Sequence, residues 1–181
     1  MLLDYRLSAL LLVDLQEKLI PAMHEPAPIL VNSLILLTAA GRLSVPATLT
    51  EQYPDGLGPT VAELADRVRS RDVIFPKMTF SAAGEPSVMS RMRQSRRTQV
   101  VLAGIEAHVC VLQTAIGLQQ LGYQVFVVSD AVTSRKPASA VQALERLRQN
   151  GISIVTTEMV LFEWLGRAGT DEFKELSRLI R

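Results

Sequence analysis

The chain lacks a second cysteine. Cys110 stands alone among 181 residues, so no internal disulfide can form, and the composition fits a reducing compartment. Histidine is nearly as scarce. His24 and His108 are too few and too scattered to make a usual zinc site. Charge of one sign is missing too: 19 Lys and Arg stand against 18 Asp and Glu, so the balance asks for no polyanionic partner. The basic run Arg91-Met-Arg-Gln-Ser-Arg-Arg97 reads as a solvated helix end, where cations are favoured, and no nucleic-acid recognition motif accompanies it. The longest apolar stretch, Ile29 to Ala40, contains Asn32 and Ser33 and is too short to span a bilayer. The N-terminus, Met1-Leu-Leu-Asp-Tyr-Arg-Leu7, has an early acid and no cleavage signature, unlike a signal peptide. The expectation is a cytoplasmic protein without a metal, a cofactor, a nucleic-acid partner or a membrane partner.

What remains is an ordinary globular composition, nearly half of it apolar, and long enough for one domain over residues 1–181. There is no internal repeat and no linker. Short apolar runs rich in Val, Ile and Leu recur at Ala9–Val13, Ala47–Thr50, Val73–Phe75, Gln99–Ala103, Gln124–Val128 and Ser153–Val155. They read as strands covered on both faces. Helical runs lie between them at Ala27–Leu43, Pro86–Arg93, His108–Leu121 and Pro137–Asn150, with a C-terminal pair from Glu158 to Arg181. Such alternation predicts an α/β fold with a six-stranded parallel sheet and helices on both faces. Ligands of such sheets bind beyond the carboxyl ends of the strands, where the strand order reverses. The turn after the first strand, Val13-Asp-Leu-Gln-Glu17, has no glycine, which excludes a dinucleotide site and a P-loop.

Three chemically capable residues end strand-like runs. Asp14 follows the first, Lys77 the third and Cys110 the fourth, where strand hands over to helix. Each has a bland reading: a helix cap, a solvated loop charge, a small buried hydrophobe. Together they are the parts of a covalent hydrolase. If the strand order is 3-2-1-4-5-6, Asp14 and Cys110 share the crevice at the switch point, while Lys77 must reach back from two strands away. The carboxylate can take the thiol proton, the ammonium can stabilise both anions, and the thiolate can attack a carbonyl carbon. The N–H of Cys110 and another from the preceding turn could hold the oxyanion. Lys77 and the helix N-terminus are expected to bring the thiol below its usual value of about 8.5, against burial and the charge of Asp14.

The stretches Leu12-Val-Asp-Leu-Gln16, Phe75-Pro-Lys-Met-Thr-Phe-Ser81 and Gly104-Ile-Glu-Ala-His-Val-Cys-Val111 occur in this order, as does Leu49-Thr-Glu-Gln-Tyr-Pro-Asp-Gly-Leu-Gly-Pro-Thr60. In these the chain resembles the isochorismatase-like cysteine hydrolases, and in Thr-Glu-Gln-Tyr-Pro the branch called isochorismatase domain-containing proteins. The resemblance implies a three-layer α/β/α sandwich and an Asp-Lys-Cys triad on Asp14, Lys77 and Cys110. It further implies a cis peptide between Ile105 and Glu106 that aims the Glu106 N–H into the oxyanion hole, and a homo-oligomer. Nicotinamidases of that superfamily carry an Asp/His metal cluster after the second strand, whereas this chain has Thr50-Glu-Gln-Tyr53 there. Isochorismatases proper act without the cysteine nucleophile, so Cys110 argues for acyl transfer. Ala107 stands where relatives often carry Thr.

Gln52, Tyr53, Phe80 and His108 are the further candidates to touch a substrate. Against this, Gln52 and Tyr53 could simply build a turn around Pro54-Asp-Gly56, Phe80 could be core, and Asp14 already supplies a base in place of His108. Trp164 reads as packing for a C-terminal helix or a subunit contact. The expected function is hydrolysis of a small amide or related acyl compound through a thioester on Cys110. The rivals are a binding or scaffold protein that retains the fold, and a thiol redox protein. The missing resolving cysteine disfavours the last.

Overall fold

The computed structural model describes residues 1–68 and 70–180. Every apolar run read as a strand enters one sheet. The strands are β1 (Ser8–Val13), β2 (Ala47–Gln52), β3 (Ile74–Lys77), β4 (Gln99–Ile105), β5 (Gln124–Thr133) and β6 (Ser153–Val155). Their order is β3-β2-β1-β4-β5-β6, all neighbours parallel. The helices are α1 (Pro26–Arg42), α2 (Pro54–Leu57), α3 (Ala62–Ala65), α4 (Pro86–Ser95), α5 (Leu112–Gln120), α6 (Pro137–Gln149), α7 (Thr157–Leu165) and α8 (Asp171–Leu176). Proline opens α1, α2, α4 and α6, where its missing N–H costs nothing. The Thr156 and Thr170 hydroxyls cap α7 and α8.

Strand periodicity splits the core into two faces. Leu10 and Leu12 of β1 pack with α1, α7 and α8 on one side of the sheet. Ala9, Leu11 and Val13 pack with α4, α5 and α6 on the other. The result is a three-layer α/β/α sandwich. Trp164 lies buried in α7, and its indole N–H donates to Ser8 Oγ at 3.0 Å, so it serves packing.

Several boundaries differ from the sequence reading. β5 continues five residues past Val128, because its polar Ser129 and Asp130 are satisfied. The Ser129 hydroxyl donates to the Val155 carbonyl, and Asp130 accepts from the Thr157 N–H and hydroxyl. The helix expected over His108–Leu121 begins instead with a π-helical turn, Ala107–Val111, and continues as α5. Helices α2 and α3 have four residues each, too few to show a period. The C-terminal pair is present as α7 and α8, with Arg181 outside the described residues. Among the described residues no helix is long and apolar enough to cross a membrane.

One glycine decides how closely the central strands meet. Gly104 has φ +117°, and a Cβ there would lie 2.1 Å from the Val13 carbonyl oxygen. Neither the backbone angle nor the space admits a side chain. Gly104→Ala is expected to lower unfolding stability by about 3 kcal/mol or more. Denaturant melts of the two proteins check this, and a difference within about 0.5 kcal/mol would contradict it.

Candidate active site

β1 and β4 are the neighbours at which the strand order reverses, and Val13 pairs with Gly104 at their carboxyl ends. The next residue of the first strand's chain is Asp14. Its backbone is left-handed at φ 55°, and its N–H donates to the Thr50 carbonyl at 3.1 Å. The turn points its carboxylate into the protein, where it is fully buried. The Thr50 hydroxyl donates to Asp14 Oδ1 at 2.7 Å.

Lys77 closes β3, in register with Gln52 of β2. With strands about 4.8 Å apart, it starts about 10 Å from β1. Its side chain reaches across β2 toward Asp14, and Nζ lies 2.8 Å from Asp14 Oδ2 with both side chains out of solvent. The three ammonium protons have other directed acceptors: Gln52 Oε1 at 2.5 Å, the Phe80 carbonyl at 3.1 Å and the Thr79 carbonyl at 3.2 Å. The contact with Asp14 is therefore one of charges rather than of an aligned N–H. Oδ2 is buried and has no hydrogen-bond partner.

Two further side chains fix this cradle. Gln16 is fully buried; its amide donates to the carbonyls of Gln52 and Gly58 and accepts from the Gln52 N–H. Glu85 accepts from the Met78 and Thr79 N–H groups, which turns the carbonyls of residues 79 and 80 toward Lys77. No role for Gln16, Thr50 or Glu85 is legible in the sequence. Gln16 and Thr50 do fall inside the stretches that carry the family resemblance.

The peptide between Ile105 and Glu106 is cis. The chain then enters the π-helical turn that holds Cys110, only 7% exposed. The Val109 and Val111 N–H groups both donate to the Glu106 carbonyl, which leaves the Glu106 and Cys110 N–H groups outside that bonding. The Glu106 carboxylate is turned away, accepting from the backbone and side chain of Arg135. Ala107 is buried.

Electrostatics overturn the expected low thiol value. Burial pushes the Cys110 thiol up to about 12, the charge of Asp14 pushes the same way, and Lys77 opposes them without winning. Burial also raises the Asp14 carboxyl, against the pull of Lys77. The physical reason is that the cation stands against Asp14, while α5 proper begins two residues beyond the sulfur. The resting group is thus a neutral thiol. At pH 7.5, Cys110 alkylation should be about a thousandfold slower than that of a free thiol, the rate still climbing at about pH 10. A rate that levels off near pH 8.5 would contradict this; iodoacetamide labelling across pH measures it.

The structure also places Gln52, Tyr53, Phe80 and His108. The Gln52 amide is engaged with Lys77 and with the Met78 carbonyl, so it supports the lysine. Tyr53 donates its N–H to the Lys77 carbonyl, and its half-exposed ring lies over Gly56. Phe80 contributes its carbonyl to Lys77, and at 56% exposed it is not core. His108 is partly buried, with Nδ1 2.9 Å from Ser134 Oγ. Among the described residues no group of three or more His, Cys, Asp or Glu side chains is placed to hold a metal ion.

A doubly wound parallel sheet, with a buried acid, amine and thiol at its switch point, defines an α/β protein of hydrolase type. Residues 8–159 match the profile of the Isochorismatase domain, and the chain belongs to the isochorismatase family. It is 41% identical over 174 residues to isochorismatase domain-containing protein 2 of Danio rerio, covering 96% of this chain and 86% of that protein. The structure of the MAR1 ribonuclease from Caenorhabditis elegans superposes with a TM-score of 0.93 at 37% identity, covering 99% of this chain and 92% of that one. The YcaC gene product of Escherichia coli, described as an octameric hydrolase of unknown specificity, gives 0.92 at 25% identity, over 99% and 90%. These likenesses establish the family and its hydrolase fold.

Proposed function

We propose that the chain is a cysteine hydrolase of a small amide or related acyl compound, with Asp14, Lys77 and Cys110 as its catalytic residues and no metal. The observation that carries the reading is the buried Oδ2 of Asp14, ion-paired with Lys77 at 2.8 Å without a directed hydrogen bond, beside a buried thiol. As Sγ attacks the substrate carbonyl, Oδ2 takes its proton, so no free thiolate need accumulate. The oxyanion receives the Glu106 and Cys110 N–H groups. Collapse breaks the C–N bond, and the leaving amine takes the proton from Asp14. Water then attacks the thioester and gives a proton to Asp14. Collapse expels the sulfur, which recovers that proton as the acid is released. Lys77 keeps the site charge-compensated throughout, with Gln52 positioning it.

Supporting a small substrate is the depth of the three side chains, which suits an acyl group better than a polymer. The catalytic unit is taken as one domain over 1–181. The free thiol suits a reducing, cytoplasmic setting. The octameric relative and the exposed Tyr53, Met78 and Phe80 around the lysine loop support a homo-oligomer. The testing experiment is amine or alcohol release from a panel of small amides and esters, with chelator present. Turnover that survives chelator but not Cys110→Ala is expected. Turnover indifferent to Cys110→Ala, or restored to chelated enzyme only by a divalent ion, would contradict the proposal.

A further inference from the structure

All six strands are parallel, so their starts lie at the edge of the sheet opposite Asp14, Lys77 and Cys110. At that opposite edge the segments entering β4 and β5 frame a cleft of about 420 Å³, within the size range of small-molecule sites. One wall is the end of α4 and the residues after it: Arg93, Arg96, Arg97 and Thr98. The other is the turn after α5, with Leu121 and Tyr123.

The cleft concentrates charge in a chain that is otherwise balanced. Three guanidinium side chains and no carboxylate line it. Among the described residues none of the three arginines forms an ion pair. Asp4, whose carboxyl feels Arg97, is engaged with Arg6 at 2.7 Å. A helix end accounts for one or two cations in its last turn. It does not account for Arg97 and Thr98, which lie past α4, nor for the facing apolar wall, where Leu121 is 57% exposed. Guanidinium groups recognise phosphate oxygens in bidentate geometry, the Thr98 hydroxyl can add a donor, and a tyrosine ring offers a face to a planar group.

We propose that this cleft binds a phosphorylated small molecule bearing a planar ring, of the mononucleotide class, at a site separate from the candidate active site. The inference does not depend on the hydrolase reading.

Calorimetric titration of the full chain with AMP, adenosine, inorganic phosphate and a single-stranded RNA oligomer tests it. AMP should bind, at least about tenfold more tightly than adenosine or phosphate, and more weakly as salt is raised. The double variant Arg93→Gln/Arg96→Gln, whose side chains are exposed, should bind AMP at least about tenfold more weakly. Cys110→Ala should bind AMP unchanged. If the double variant loses its fold, Arg96→Gln alone carries the comparison with a smaller fold-change. Four results would overturn the proposal: no AMP binding by wild type, undiminished binding by the arginine variants, inorganic phosphate as tight as AMP, or RNA oligomer much tighter than AMP.

Discussion

Cys110→Ala is expected to lower kcat on any accepted amide by about 10⁴-fold or more, because it removes the chain's one thiol. The fold should survive, since the site needs only a small buried side chain, and methyl replaces thiol there. Asp14→Asn should cost about as much. Asparagine suits the left-handed backbone at this position and can still meet Thr50, but it cannot take the thiol proton. The double variant should then be little worse than either single one, because residues acting in one proton transfer are not additive. Full kinetic traces of the three variants, each with its melting curve, measure this. Additive losses would mean that the two side chains act in separate steps.

The second large effect is on stability. Lys77→Met leaves the Asp14 carboxylate buried and uncompensated, and removal of one partner of such a pair costs about 3–5 kcal/mol. Replacing both, as Asp14→Asn/Lys77→Met, should recover much of that loss while leaving the protein inactive. The pH dependence follows from the direction of the Asp14 shift. Its native value is raised, and losing Lys77 raises it further. A raised carboxyl favours the native state at low pH, and that contribution is lost as pH climbs through the native value. The gap between wild type and Lys77→Met should therefore be widest near neutrality and narrow as pH falls. Chemical denaturation at several pH values tests both points. A single variant as stable as wild type would mean that Asp14 is already neutral in the native protein.

Much of this arrangement is legible in the chain because strand ends announce themselves. The alternation of short Val- and Leu-rich runs with helical ones implies the parallel sheet, and the switch point then puts Asp14 and Cys110 in one crevice. Lys77 is different. Its approach depends on the length of one side chain and on acceptors from Gln52, Thr79 and Phe80, themselves set by Gln16 and Glu85. Some of these polar contacts join distant segments and others lie within the loop after β3, and no local period encodes them. Gln52 shows the difficulty: its place at the end of β2 suggests a residue facing a ligand, and only the tertiary structure shows its amide engaged by the lysine. The π-helical turn hides for a similar reason, since Ala107–Val111 has the composition of an ordinary helix start. The thiol reading fails in sign because burial and pairing decide it. A sequence shows a nearby cation but not which anion that cation stands against.

Intact-protein mass spectrometry detects a covalent thioester on Cys110. The enzyme is mixed with an activated acyl ester whose thioester hydrolyses slowly, quenched in acid and weighed. One added acyl group is expected on wild type, mapped to Cys110, released by hydroxylamine and missing from Cys110→Ala. Turnover without any adduct, at a rate equal in wild type and Cys110→Ala, would contradict it.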